Sequence, residues 1–108
     1  MIKLAGKGAN ICIVSSVTGK NPSWTIGVYG STKAALDNMV IWMANELMAD
    51  GIRVTGISPG LIATEFSGPL WKENQAVPKE AIGQSEDIGN VVATICSSDG
   101  RFMNGEVY

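Results

Sequence analysis

Two short β-branched runs separated by one long helix-compatible stretch constrain this chain more than any other feature. The first run is Asn10-Ile11-Cys12-Ile13-Val14-Ser15, the helical stretch covers 26–50, and the second run is Ile52-Arg53-Val54-Thr55-Gly56-Ile57. A short apolar run bounded by turn formers reads as a strand buried on both faces, a property of parallel sheets. Parallel strands need a crossover, usually a helix, and the connection is right-handed. The pattern therefore predicts a βαβ unit within an open α/β sheet. Gly51 stands where a C-terminal helix cap is expected.

The helical stretch is apolar on more than one side. Ala34, Ala35, Leu36, Met39, Val40, Ile41, Trp42, Met43, Leu47 and Met48 exceed a single stripe. One side is expected to lie on the sheet and the other to be covered by a further helix or a second subunit. Residues 1–8 show little periodicity and carry two glycines suited to a helix exit. After the second strand, Ser58-Pro59-Gly60-Leu61-Ile62-Ala63-Thr64 stops regular pairing. Residues 65–83 read as irregular or briefly helical, carrying Phe66, Leu70 and Trp71 among Gly68, Pro69 and Pro78. A connection this long in a compact domain reads as a binding lid or a disordered segment. Ser85-Glu86-Asp87 is expected to cap a helix reaching Cys96, and Gly105-Glu106-Val107-Tyr108 reads as the start of another strand.

The length of 108 residues is enough for one small domain with a modest core. A net charge of -2 with 17% charged residues carries no footprint of nucleic acid or of a cationic membrane surface. The longest apolar region, 39–49, is interrupted by Asn45 and Glu46 and is too short to cross a bilayer. Met1-Ile2-Lys3-Leu4 is followed by Gly6, Lys7 and Gly8 rather than by the apolar core of a secretory signal. The chain thus reads as soluble and cytoplasmic. Cys12 and Cys96 are expected to be buried small hydrophobes in a reducing compartment. With no histidine in the chain, Ser-His-Asp hydrolases, Cys-His proteases and His-based zinc enzymes are excluded. Gly19-Lys20 is not a phosphate loop, since Val14 stands where its first glycine belongs and Asn21 replaces the Ser or Thr.

In an open parallel sheet, ligands bind beyond the carboxyl ends of the strands. Three segments are expected there: Ser16 after the first strand, Tyr29-Gly30-Ser31-Thr32-Lys33 at the start of the helix, and 59–64 after the second strand. Tyr29 and Lys33, four residues apart, share a helix face. An ammonium beside a phenol favours the phenolate, which makes such a hydroxyl a usable acid or base. The loop between Ser16 and Tyr29 is long enough to fold the serine hydroxyl back beside the phenol. Such a pair could bind and protonate a carbonyl oxygen.

Ile13-Val14-Ser15-Ser16, then Tyr29-x-x-x-Lys33, then Pro59-Gly60-Leu61-Ile62-Ala63-Thr64 resemble, in order and spacing, the second half of the short-chain dehydrogenase/reductase family. The resemblance implies part of a doubly wound Rossmann-like sheet, NAD or NADP as cofactor, and alcohol dehydrogenase or carbonyl reductase activity. It implies that Ser16 holds the substrate oxygen, Tyr29 donates or accepts its proton, and Lys33 supports Tyr29 and binds the nicotinamide ribose. Pro59, Gly60, Ile62 and Thr64 would border the nicotinamide, with Thr64 in reach of a phosphate. No metal is implied. The family's glycine-rich turn, its Asn-Ala-Gly segment and the asparagine of its proton relay have no counterpart here, an Asp-Gly-Gly stretch is missing after Tyr108, and Thr55 stands where asparagine is usual. The chain is therefore expected to be the carboxyl-terminal portion of one Rossmann domain spanning 1–108. Its expected partners are a small carbonyl or alcohol substrate and either further copies or a complementary amino-terminal half, with neither nucleic acid nor membrane. The alternative is a non-catalytic assembly or interaction module derived from a reductase.

Overall fold

The computed structural model describes residues 8–72 and 77–108. The expected tail at 1–7 lies outside them. Strands β1 (Asn10–Val14) and β2 (Arg53–Ile57) pair in parallel, with Ile11 opposite Val54 and Val14 opposite Ile57. Helix α1 (Gly27–Leu47) crosses between them. Met43, Ala44 and Leu47 of α1 form the core with Ile52 and Val54, and Ile11 and Ile13 pack against it. Gly56 lies under the same helix, where an added Cβ would come within 2.9 Å of Val40 Cγ2. At its end α1 tightens into a 3-10 turn, Met48–Asp50, and closes on Gly51 at φ 71°, the left-handed geometry that glycine adopts without strain.

Successive strand residues face opposite sides of a sheet, so Arg53 and Thr55 point away from α1. The Arg53 guanidinium donates to the carbonyls of Ile95 (3.0 Å), Gly100 (2.7 Å) and Met103 (3.1 Å). Thr55, fully buried, donates its hydroxyl to the Met103 carbonyl at 3.1 Å, so threonine is accommodated where the resemblance expects asparagine. Helix α2 (Gly68–Lys72) and a 3-10 turn at Lys79–Ala81 fall within the connection at 65–83, which is briefly helical as expected. Helix α3 (Ser85–Cys96) follows. The chain then returns beside β2. Val107 bridges Gly56 in parallel, and Gly105 N–H donates to the Val54 carbonyl at 2.8 Å. Three parallel segments with helices on both faces make this a partial Rossmann-like α/β fold.

Two expectations need correction. The N-cap of α3 is Gln84 rather than a residue of Ser85-Glu86-Asp87, and the Asp87 carboxylate accepts the Gln84 N–H at 2.7 Å. Cys96 is exposed and Cys12 only half-buried. The reason is their place at β1, Cys12 within the strand and Cys96 beside it at the end of α3: β1 pairs on one side only among the described residues, so groups there stay open to solvent. Cys96 Sγ donates there to Asn10 Oδ1 at 3.3 Å. No helix among the described residues is long and apolar enough to cross a membrane.

Candidate active site

The loops after the two strands are tied to each other and to α1. Ser15 N–H donates to the Ile57 carbonyl at 2.8 Å and its hydroxyl to the Lys33 carbonyl at 3.0 Å. Val17 N–H donates to the Pro59 carbonyl at 2.9 Å. These bonds fix the carboxyl ends of β1 and β2 against the first turns of the helix. Ser16, only 9% exposed, caps a 3-10 turn at Val17–Gly19. Its hydroxyl oxygen accepts from Thr18 N–H at 3.3 Å and from Thr18 Oγ1 at 3.0 Å.

Tyr29 stands half-buried at the start of α1, its ring centroid 6.1 Å from that of Phe66. Lys33 lies one turn further along. Its Nζ is 5.4 Å from the Tyr29 ring centroid and donates to the Val14 carbonyl at 3.1 Å, which anchors it to the end of β1. A cavity of about 480 Å³ opens at this edge. Ser16, Tyr29, Pro59, Gly60, Ile62 and Thr64 all line it; Lys33 does not, and stands beside Tyr29 instead. Phe66, Pro69 and Leu70, from the connection between β2 and α3, close the apolar side. That size and lining suit a small organic ligand fixed by a few polar groups.

The wall at Pro59 and Gly60 is open, since nothing lies within 4 Å of where a Cβ on Gly60 would stand. A flat ring can approach the backbone there. Thr64 is committed locally: its hydroxyl lies 3.0 Å from Ser67 Oγ, and its N–H donates to the same oxygen at 3.2 Å. Ser67, buried, also donates to the Ile62 carbonyl. Thr64 thus shapes the loop that borders the cavity. Thr18, Ser67 and Gly30 escaped the sequence reading. The sequence signals are a hydroxyl residue two places after a strand-ending serine for Thr18 and a glycine inside a helix for Gly30; Ser67 has none.

Residues 1–108 match the family described as enoyl-(acyl carrier protein) reductase. The chain is 36% identical over 106 residues to dehydrogenase/reductase SDR family member 4 of Mus musculus, covering 92% of this chain and 38% of that protein. Among solved structures it resembles L-sorbose reductase from Gluconobacter frateurii complexed with NADPH and L-sorbose, at a TM-score of 0.83 and 27% identity, covering 99% of this chain and 47% of that one. It also resembles 4-hydroxyisoleucine dehydrogenase complexed with NADH, at a TM-score of 0.77 and 31% identity, covering 92% and 43%. The chain therefore spans less than half the length of these relatives. A match along the whole chain, together with serine, tyrosine and lysine placed at one edge of a partial Rossmann sheet, makes it a member of the short-chain dehydrogenase/reductase family.

Proposed function

We propose that the cavity is the substrate end of an NAD- or NADP-dependent oxidoreductase site that interconverts a carbonyl and an alcohol, and that the chain is the carboxyl-terminal portion of such a reductase. The observation that carries this reading is the convergence of Ser16 and Tyr29, from different elements, on one cavity beyond the ends of parallel strands, with Lys33 one helical turn behind the phenol. Relatives that hold NADPH or NADH support the choice of cofactor. Pro59, Gly60 and Ile62 would hold the nicotinamide along the open wall, and the cofactor, when bound, supplies or accepts the hydride.

The chain's own residues handle the oxygen. Ser16 donates a hydrogen bond to it. In reduction Tyr29 delivers its hydroxyl proton to that oxygen, and in oxidation it takes the proton back. Lys33 sets a positive charge beside the ring, where it offsets the charge that develops on the phenol oxygen as the proton leaves. Ile26, Leu61, Phe66 and Leu70 surround the remaining space, so the substrates that fit best carry the reacting oxygen on an apolar body. Tyr29→Phe removes one oxygen atom and is expected to lower turnover by about 10²–10⁴-fold, the usual contribution of a positioned proton donor, with the circular dichroism spectrum unchanged. Turnover retained in that variant would exclude Tyr29 as the acid or base.

A second reading has an observation of its own. The outward face of α1 and the turn that closes it expose Ile41 (52%), Trp42 (48%) and Met48 (65%), an apolar strip that suits an assembly module covered by a second copy or by a complementary amino-terminal half. The two readings part on whether the chain binds a nicotinamide cofactor.

A further inference from the structure

A serine hydroxyl has one hydrogen to give and two positions at which it can accept. In Ser16 both accepting positions are taken by Thr18, through its N–H at 3.3 Å and its hydroxyl at 3.0 Å. The single hydrogen of Ser16 is thereby directed away from the turn, and Ser16 lines the cavity.

Thr18 is in turn seated on α1. Its carbonyl oxygen lies 2.9 Å from where a Cβ on Gly30 would stand, and Gly30 directly follows Tyr29. Glycine inside a helix is unfavourable relative to alanine; here its bare backbone lets the turn approach the helix beside the phenol. Gly19 makes the same kind of approach one residue later, since a Cβ there would fall 3.0 Å from the Ala34 nitrogen and 2.8 Å from Asp37 Oδ2. Two glycines, one on each side of the contact, hold the turn and the helix together.

We infer that Thr18 is a positioning residue of this site: seated on Gly30, it donates twice to Ser16 Oγ and so fixes Ser16 as a hydrogen-bond donor toward the substrate oxygen beside Tyr29. The inference rests on the oxidoreductase reading of the cavity. It makes Ser16 selective for an oxygen with a free lone pair, as in a carbonyl.

The test compares Thr18→Val, which keeps the shape and loses the hydroxyl, with Thr18→Ser, which keeps the hydroxyl. With NADH or NADPH and an aryl ketone as probes, Thr18→Val is expected to lower kcat about tenfold at unchanged cofactor KM, and Thr18→Ser to restore it to within about twofold. Added to Ser16→Ala, Thr18→Val is expected to cause no further loss, because it acts through Ser16. Additive losses, or an equal loss in Thr18→Ser, would overturn the inference. A crystal structure of Thr18→Val separates this claim from the reading beneath it. Ser16 Oγ is expected there to turn from the cavity and donate within the chain, and an unmoved Ser16 would count against Thr18 even if turnover fell. Should the wild-type chain show no turnover without a complementary half, the crystal structure alone decides the role of Thr18, and cofactor binding decides the oxidoreductase reading. Should Thr18→Val fail to fold, Gly30→Ala is compared with Gly27→Ala, whose Cβ would meet nothing within 4 Å. Displacement of Thr18 in the first and not in the second is expected; identical behaviour of the two, folded or unfolded, would overturn the inference.

Discussion

Tyr29 and Lys33 meet as their four-residue spacing predicts, because the helix carries both on one face and the Val14 carbonyl anchors the ammonium. Ser16 was legible for a similar reason: a polar residue at the end of an apolar run marks the carboxyl edge of a strand. Thr18 was not legible, since its value lies in a turn geometry that many sequences share. Cys12 and Cys96 depart from the expected burial for a different reason. Apolar neighbours predict burial, and burial depends on whether the sheet continues past β1. The Cys12 thiol is nevertheless pushed above its ordinary value of 9.0, first by burial and then by the neighbouring Cys96 charge. An acid raised in the folded state keeps its proton where the unfolded chain loses it. Its contribution to stability is therefore full below the unfolded thiol's range and is lost as pH rises from that range through the higher folded value. At neutral pH iodoacetamide is expected to label exposed Cys96 well before Cys12, as peptide mass mapping would report; equal rates would contradict the shift.

At the scale of elements, β1, α1 and β2 were readable because β-branched runs and a long apolar helix differ in period and length. Gly51 marks the end of the helix in the sequence and does so in the structure. The cap of α3 was harder, since Gln84 lies outside the usual capping residues and works with Asp87 three places on. Arg53 illustrates a limit of another kind. A charged residue inside a strand reads as an anomaly until its partners are known, and these lie 42 to 50 residues away, at Ile95, Gly100 and Met103. One guanidinium satisfies three carbonyls around the end of α3, and so clamps that helix to the sheet. Arg53→Met, which retains the apolar stem, is expected to lower stability by about 2–3 kcal/mol, because charge-assisted hydrogen bonds are lost and partly buried carbonyls are left without donors. Urea denaturation monitored by tryptophan fluorescence would measure it, and a change below about 0.5 kcal/mol, the size of an ordinary surface substitution, would show that the clamp is dispensable.

At the scale of the whole molecule, a partial Rossmann sheet brings Ser16 and Tyr29 to one cavity within a chain less than half as long as its relatives. The fold class was legible because the βαβ pattern lies wholly within the chain; the exposed strip on α1 was legible as excess apolar surface, and its occupant was not, because covering surfaces leave no mark on the residues they cover. The apolar strip and the cavity lead to different expectations, and cofactor binding separates them. The decisive measurement is a titration of NADH and NADPH into the 108-residue chain, followed by nicotinamide fluorescence, with Lys33→Ala alongside. Saturable binding, weakened by about tenfold or more in Lys33→Ala as expected for loss of a charged contact, is the predicted result. No binding at millimolar cofactor would contradict the site described and leave the chain as an assembly module, and equal binding by the variant would remove Lys33 from the cofactor site.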